Sequence, residues 1–171
     1  MLDQISVYCT KRCLTVTPLD TADGWKLYSA VNRTARCLAE NNFMYYSELD
    51  LCYSINTASS VNFEDMKALC GKYSAEMIQV VSLRKQAFVQ LITETIAIDY
   101  IMIQGTPDNY QEDQWLFDDG TVMRYFNWNW DQDEPNEDGT NIGIQKSLGS
   151  TWFGINNIET YPCLYICERR S

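Results

Sequence analysis

Between Asn62 and Tyr73 the apolar residues Phe63, Met66, Leu69, Cys70 and Tyr73 recur at helical spacing. Asn62 is placed to cap this helix, and Glu64 and Asp65 fall at the positive end of its dipole. A short apolar run, Met77 to Val81, reads as a strand. Ser82 then caps a second periodic segment, with Leu83, Ala87, Phe88, Leu91 and Ile92 on one face and an end near Thr95. Beyond it the helical period disappears. Residues 97–103, 121–126, 141–144 and 162–168 read as short strands, separated by loops rich in Gly, Asn and Asp. Two helices followed by a strand-rich, loop-rich second half predict an α+β domain rather than alternating βαβ units.

A chain of 171 residues with 46% apolar content is long enough for one domain with a real core and an appendage. Residues 1–36, which hold Trp25, Leu27, Tyr28, Val31, Cys9 and Cys13, are too few for a core of their own and read as an N-terminal extension or stalk. The domain then occupies 37–171. No run approaches the roughly eighteen apolar residues of a membrane span, so no membrane insertion is expected. The opening residues show neither the basic nor the apolar part of a secretory signal. Seven cysteines nonetheless argue for an oxidising, extracellular or secreted setting. The sequon Asn32-Arg33-Thr34 fits a glycoprotein surface there.

Charge sharpens the picture. Ten of the 23 acids, but only Arg124 among the 13 bases, lie between Asp108 and Asp138, so this stretch carries nearly all of the net charge of −10. It also contains Trp115, Phe117, Tyr125, Phe126, Trp128 and Trp130, which an acidic solvated tail would lack. Folded acids this dense suit either calcium, which takes about six to eight oxygen ligands, or a polar loop surface screened by salt. Both readings stand on charge alone. The acidic balance excludes nucleic acid and anionic membranes as partners. No histidine is present, which removes most zinc sites and every histidine-based nucleophile mechanism. With no serine elbow and no phosphate loop either, no catalytic residue is assigned and the chain reads as a binding protein rather than an enzyme.

From Cys37 to Glu168 the residues resemble a C-type lectin-like domain of the long form. Phe63 to Cys70, Ser74 to Val80 and Gln86 to Leu91 are similar to that family's first helix, first long strand and second helix. Tyr100-Ile-Met-Ile103 stands where the family writes W-I-G-L, and Trp115-Leu-Phe117-Asp-Asp119-Gly120 resembles W-x-W-x-D-G. Asn129-Trp130-Asp-Gln-Asp-Glu134-Pro135-Asn136 resembles N-W-x-x-x-E-P-N, and Tyr165-Ile-Cys167-Glu168 the terminal Y-I-C-E. The fold implied has two helices flanking small antiparallel sheets with a long ligand-binding loop region. The resemblance also implies a bridge from Cys70 to Cys167 and a hairpin bridge from Cys37 to Cys52. The family's second core bridge, near Asn141 and Asn157, has no cysteines here. Cys9, Cys13 and Cys163 remain; a bridge from Cys163 to Cys9 or Cys13 is favoured, the spare serving a disulfide-linked oligomer or staying a buried thiol.

By the same resemblance, Glu134 and Asn136 coordinate calcium and bind vicinal hydroxyls of a sugar, with Pro135 in a cis peptide. Asp108, Glu112 and Glu137 fall where the family builds a neighbouring calcium site. Trp115, Phe117, Trp128 and Trp152 are expected in the core, whereas Trp130 is the aromatic expected to meet ligand. Trp128 and Trp130, two apart, would face the same way if extended. One departure is chemical: Trp152-Phe153-Gly154 occupies the place of the family's W-N-D and supplies neither side-chain oxygen. The expected function is therefore extracellular recognition of a glycan through the long-loop surface with calcium assisting, or calcium-independent binding of a cell-surface protein or assembly on the same fold.

Overall fold

The computed structural model describes residues 34–37, 42–60, 62–111, 114–136, 138–156 and 161–169. Strands β1 (Met44–Tyr46) and β2 (Leu51–Ala58) form a hairpin, and helix α1 (Phe63–Gly71) follows. Next come β3 (Glu76–Met77), helix α2 (Leu83–Thr93) and β4 (Tyr100–Ile103). Two short strands, β5 (Thr106–Pro107) and β6 (Trp115–Leu116), open the long loop. The chain closes with β7 (Asn141–Gln145), β8 (Thr151–Ile155) and β9 (Cys163–Arg169).

Both helices start where their caps predict. The Asn62 side chain accepts the Asp65 N–H at 3.1 Å, and the Ser82 hydroxyl accepts that of Lys85 at 3.2 Å. The main sheet runs β1-β2-β9-β4-β7-β8, with β3 also on β9, while β5 and β6 pair apart. Strand β9 lies at its centre: β2 covers one edge from Cys163 to Arg169, and β4 and β3 divide the other. The β4 contact is parallel, so the sheet is mixed rather than antiparallel throughout. The two faces of β9 are buried as well, Leu164 and Ile166 in one core and Cys163, Tyr165 and Cys167 in the other, which is why Cys163 to Cys167 reads as a near-continuous apolar run.

Alternation along the strands builds two cores. On one face Ile101, Ile103, Ile142, Ile144, Trp152, Leu164 and Ile166 pack with Phe88 and Val89 of α2 and with Trp115, Phe117, Met123 and Trp128 of the long loop. On the other, Met102, Ile155, Cys163, Tyr165 and Cys167 meet Phe63, Met66 and Cys70 of α1. The bridges Cys37–Cys52 and Cys70–Cys167 both lie on the α1 side.

Several expectations are corrected. The strand expected at Met77 to Val81 is confined to Glu76–Met77; Ile78 still donates to Ile166 O at 2.8 Å, but no continuous ladder runs on. The strand expected at 97–103 begins only at Tyr100, and 121–126 holds a single bridge, Val122 to Leu116. Strand β8 carries Gly154 and follows a turn, so it escaped the pattern. Helix α1 ends at Gly71, so Tyr73 lies beyond it, and both Tyr73 and Leu69 are exposed, because the helix buries Phe63, Met66 and Cys70. On α2, Leu83 and Leu91 are 71% and 58% exposed and Ala87 also faces solvent, while Gln86, Phe88, Val89 and Thr93 are buried. The reason is polar: Gln86 accepts the Trp152 indole N–H at 2.8 Å and donates to Ser150 O at 3.0 Å, tying α2 to β8. Gln86→Met keeps the volume and deletes both bonds. Its expected cost is about 1–3 kcal/mol, read from urea unfolding, because the buried indole N–H loses its acceptor.

Among the described residues Cys163 is a free, buried thiol whose Sγ faces Ser60 O at 3.9 Å. Burial pushes this thiol up to about 11, so it stays protonated at neutral pH. Its favoured partners Cys9 and Cys13 lie outside the described residues, as do the sequon Asn32 and almost all of the 1–36 extension.

Candidate functional site

The long loop leaves the sheet through a buried amide network. Gln104 donates to Met77 O and accepts from Gln79 Nε2 at 3.2 Å and from the Asp118 N–H at 3.1 Å. This anchors the turn around Asp119 and Gly120, so both glutamines position the loop. Their polar character hid that role in an apolar-pattern reading. On either side of the turn, Trp115, Phe117 and Trp128 are each 6% exposed, and Trp128 meets Trp115 and Trp152 at centroid distances of 5.0 and 5.8 Å. The expected core tryptophans are therefore core.

Trp130 leaves that core. Trp128 bridges to Trp152, whereas Trp130 opens a 3-10 turn, Trp130–Gln132, so the two do not share a face. Trp130 is 71% exposed, and Asp131 and Asp133 beside it are exposed as well. Tyr110, on the same loop, is exposed at 95%. Two shallow clefts lie elsewhere, one of about 350 Å³ beside Lys85 and Glu168 and one of about 600 Å³ between α2 and Lys146.

The Glu134–Pro135 peptide is cis, and Glu134 and Asn136 do converge. They converge on Gly154. Glu134 Oε2 accepts the Gly154 N–H at 2.7 Å and the Asn136 N–H at 3.0 Å. Asn136 Nδ2 donates to Gly154 O at 3.2 Å and to Glu134 Oε1 at 3.2 Å. The fit depends on two glycines: a Cβ on Gly139 would come within 2.6 Å of Gly154 Cα, and one on Gly154 within 3.3 Å of Asn136 Oδ1. Only the two glycines together hinted at this approach in the sequence. Phe153, the residue in place of an amide ligand, packs edge-on against Tyr100 at 5.8 Å and lies over Gly143, where a Cβ would meet its ring at 2.5 Å.

This donor set does not fit the calcium site that the resemblance implies. Calcium takes about six to eight oxygens. Glu134 already accepts three N–H donors, Phe153 and Gly154 add no side-chain oxygen, and no group of three acids or cysteines suited to a metal occurs among the described residues. Of the neighbouring set, Asp108 accepts the Tyr110 N–H at 2.8 Å in a local turn, and Glu112 and Glu137 lie outside the described residues.

Sheet order, flanking helices and the long loop define a C-type lectin fold. Residues 59–169 match the Lectin C-type domain family, and the chain belongs to it. The hepatic lectin of Gallus gallus is similar at 30% identity over 136 residues, which cover 78% of this chain and 61% of that protein. This chain thus spans about three fifths of that relative. Among solved structures, the mouse scavenger receptor C-type lectin carbohydrate-recognition domain superposes with a TM-score of 0.60 at 22% identity, over 76% of this chain and 94% of that one. The calcium-independent C-type lectin SPL-2 from Saxidomus purpuratus gives 0.61 at 18%, over 76% and 92%. The fold therefore accommodates members described as working without calcium. No helix among the described residues is long and apolar enough to cross a membrane.

Proposed function

We propose that this domain is a recognition module of the extracellular space that binds carbohydrate through the long-loop surface, with Trp130 as its principal contact and without an ion at Glu134 and Asn136. The exposure of Trp130 carries the reading. An indole held in water by a turn, with Asp131 and Asp133 alongside, offers a face for the C–H side of a sugar ring and carboxylates that accept its hydroxyls. Two bridges in one small domain support an oxidising compartment. A cell-surface protein is the second reading, favoured by the additional exposed aromatic Tyr110, since aromatic anchors dominate protein interfaces.

A glycan array, probed with and without chelator, tests the first reading. Binding is expected in both conditions, and Trp130→Ala is expected to lose about tenfold or more in affinity with an unchanged melting temperature, since burying a large apolar side chain contributes about 1.5–3 kcal/mol and about 1.4 kcal/mol is tenfold. Glycan binding that vanishes with chelator, or that ignores Trp130→Ala, rejects it. A protein bound through the same tryptophan, with no glycan retained, favours the second.

A further inference from the structure

Among the described strands, β8 has only β7 as a partner, along one edge. Antiparallel alternation turns the backbone groups of residues 151, 153 and 155 toward β7 and those of 152 and 154 outward, where an open edge would leave them without strand partners. The long loop fills that edge rung by rung. Asn127 O accepts the Trp152 N–H at 2.7 Å, and Trp152 O accepts the Asn129 N–H at 2.9 Å. At the next rung the loop backbone has turned away into the 3-10 turn, and side chains take over: the Glu134 carboxylate accepts the Gly154 N–H and the Asn136 amide donates to Gly154 O. One acceptor and one donor, mutually hydrogen-bonded, meet a peptide as an adjacent strand would.

We infer that Glu134 and Asn136 are a metal-free lock, a side-chain substitute for a β-strand that completes the outer edge of β8 and holds the long loop in place. The lock and a calcium site make exclusive use of the same oxygens. Glu134 Oε2 cannot serve two N–H donors and an ion together without breaking one contact, and Gly154 leaves the space that Asn136 enters. The lock also acts where this chain lacks the family's second core bridge, near Asn141, with Gly139 pressed against Gly154. The inference does not depend on which ligand Trp130 meets.

Amide hydrogen exchange at Gly154, followed by NMR on the whole chain, tests it. In chelator the Gly154 amide is expected to be protected, and millimolar calcium is expected to leave its rate unchanged. Glu134→Ala should speed that exchange about ten- to hundredfold, the range for losing a charge-assisted hydrogen bond. The Phe153 and Ile155 amides, which face β7, should stay slow and show that the sheet is intact. Glu134→Gln keeps a carbonyl oxygen for the Gly154 N–H and should retain most of the protection, although it removes the charge that calcium needs. Protection that appears only with calcium, or that is equal in wild type and Glu134→Ala, or lost equally in the Gln and Ala variants, overturns the lock. The wild-type comparison with and without chelator decides the calcium question even if Glu134→Ala fails to fold.

Discussion

Replacing Cys70 and Cys167 together by alanine is expected to lower the unfolding free energy by about 4–5 kcal/mol, the chain-entropy value for a loop of about a hundred residues. The two cysteines are 97 residues apart and join α1 to the central strand, so their bridge restricts most of the domain's unfolded ensemble. Both are buried, and the alanines would also lose packing against Phe63 and Met66. The pair Cys37 and Cys52, 15 apart, closes a much shorter loop and should cost only about 3 kcal/mol. Denaturant unfolding of the two double variants checks the order. A larger loss from the shorter loop would show that packing, not restriction of the unfolded chain, governs these bridges.

Lys85→Met is expected to cost about 3–5 kcal/mol at neutral pH, because it strips the counter-ion from a buried carboxylate. The Lys85 ammonium pairs with Glu168 Oε2, and the two side chains are 13% and 3% exposed. Glu168 Oε1 also accepts the Gln79 N–H at 3.0 Å. Burial holds the Glu168 carboxyl above its usual range of about 4.5, against the opposing pull of Lys85. A carboxyl raised by folding contributes most below its unfolded value and loses that contribution as pH rises through the folded one. Without Lys85 the rise is larger. The deficit of Lys85→Met should therefore shrink as pH falls toward and below about 4.5, where Glu168 is neutral in both states. Adding Glu168→Gln should recover most of the loss at neutral pH, since an amide oxygen still accepts from Gln79. A deficit constant from pH 4 to 8, or no recovery in the double variant, would show that the ion pair is not the origin of the effect.

The parts legible in the sequence were those fixed by neighbours along the chain or by paired landmarks. Asn62 and Ser82 mark their helices because a cap acts within three residues. The central strand was readable because a strand buried on both faces is mostly apolar, with Glu168 buried beside its partner Lys85, and the resemblance to C-type lectins paired the four bridging cysteines. The buried face of α2 was misread for a complementary reason. Periodicity ranks residues by polarity, whereas Gln86 and Thr93 are buried with their hydrogen bonds satisfied and Leu83 and Leu91 are left in water.

The candidate site divides along the same line. That an acidic, aromatic loop carries Glu134, Pro135, Asn136 and Trp130 is a property of the sequence, as is the loss of the oxygens expected at Phe153 and Gly154. Which tryptophan enters the core and what Glu134 and Asn136 hold were decided only in three dimensions. Trp128 is drawn inward by its bridge to Trp152, and the turn after it leaves Trp130 outside. The partner of Glu134 and Asn136 is the main chain of Gly154, 18 to 20 residues away. Every residue but proline carries the same backbone donor and acceptor, so no side-chain pattern announces which peptide a carboxylate will find. The order of elements and the chemistry they carry were written locally, while the use of that chemistry was set by which strand edge the folded chain left open.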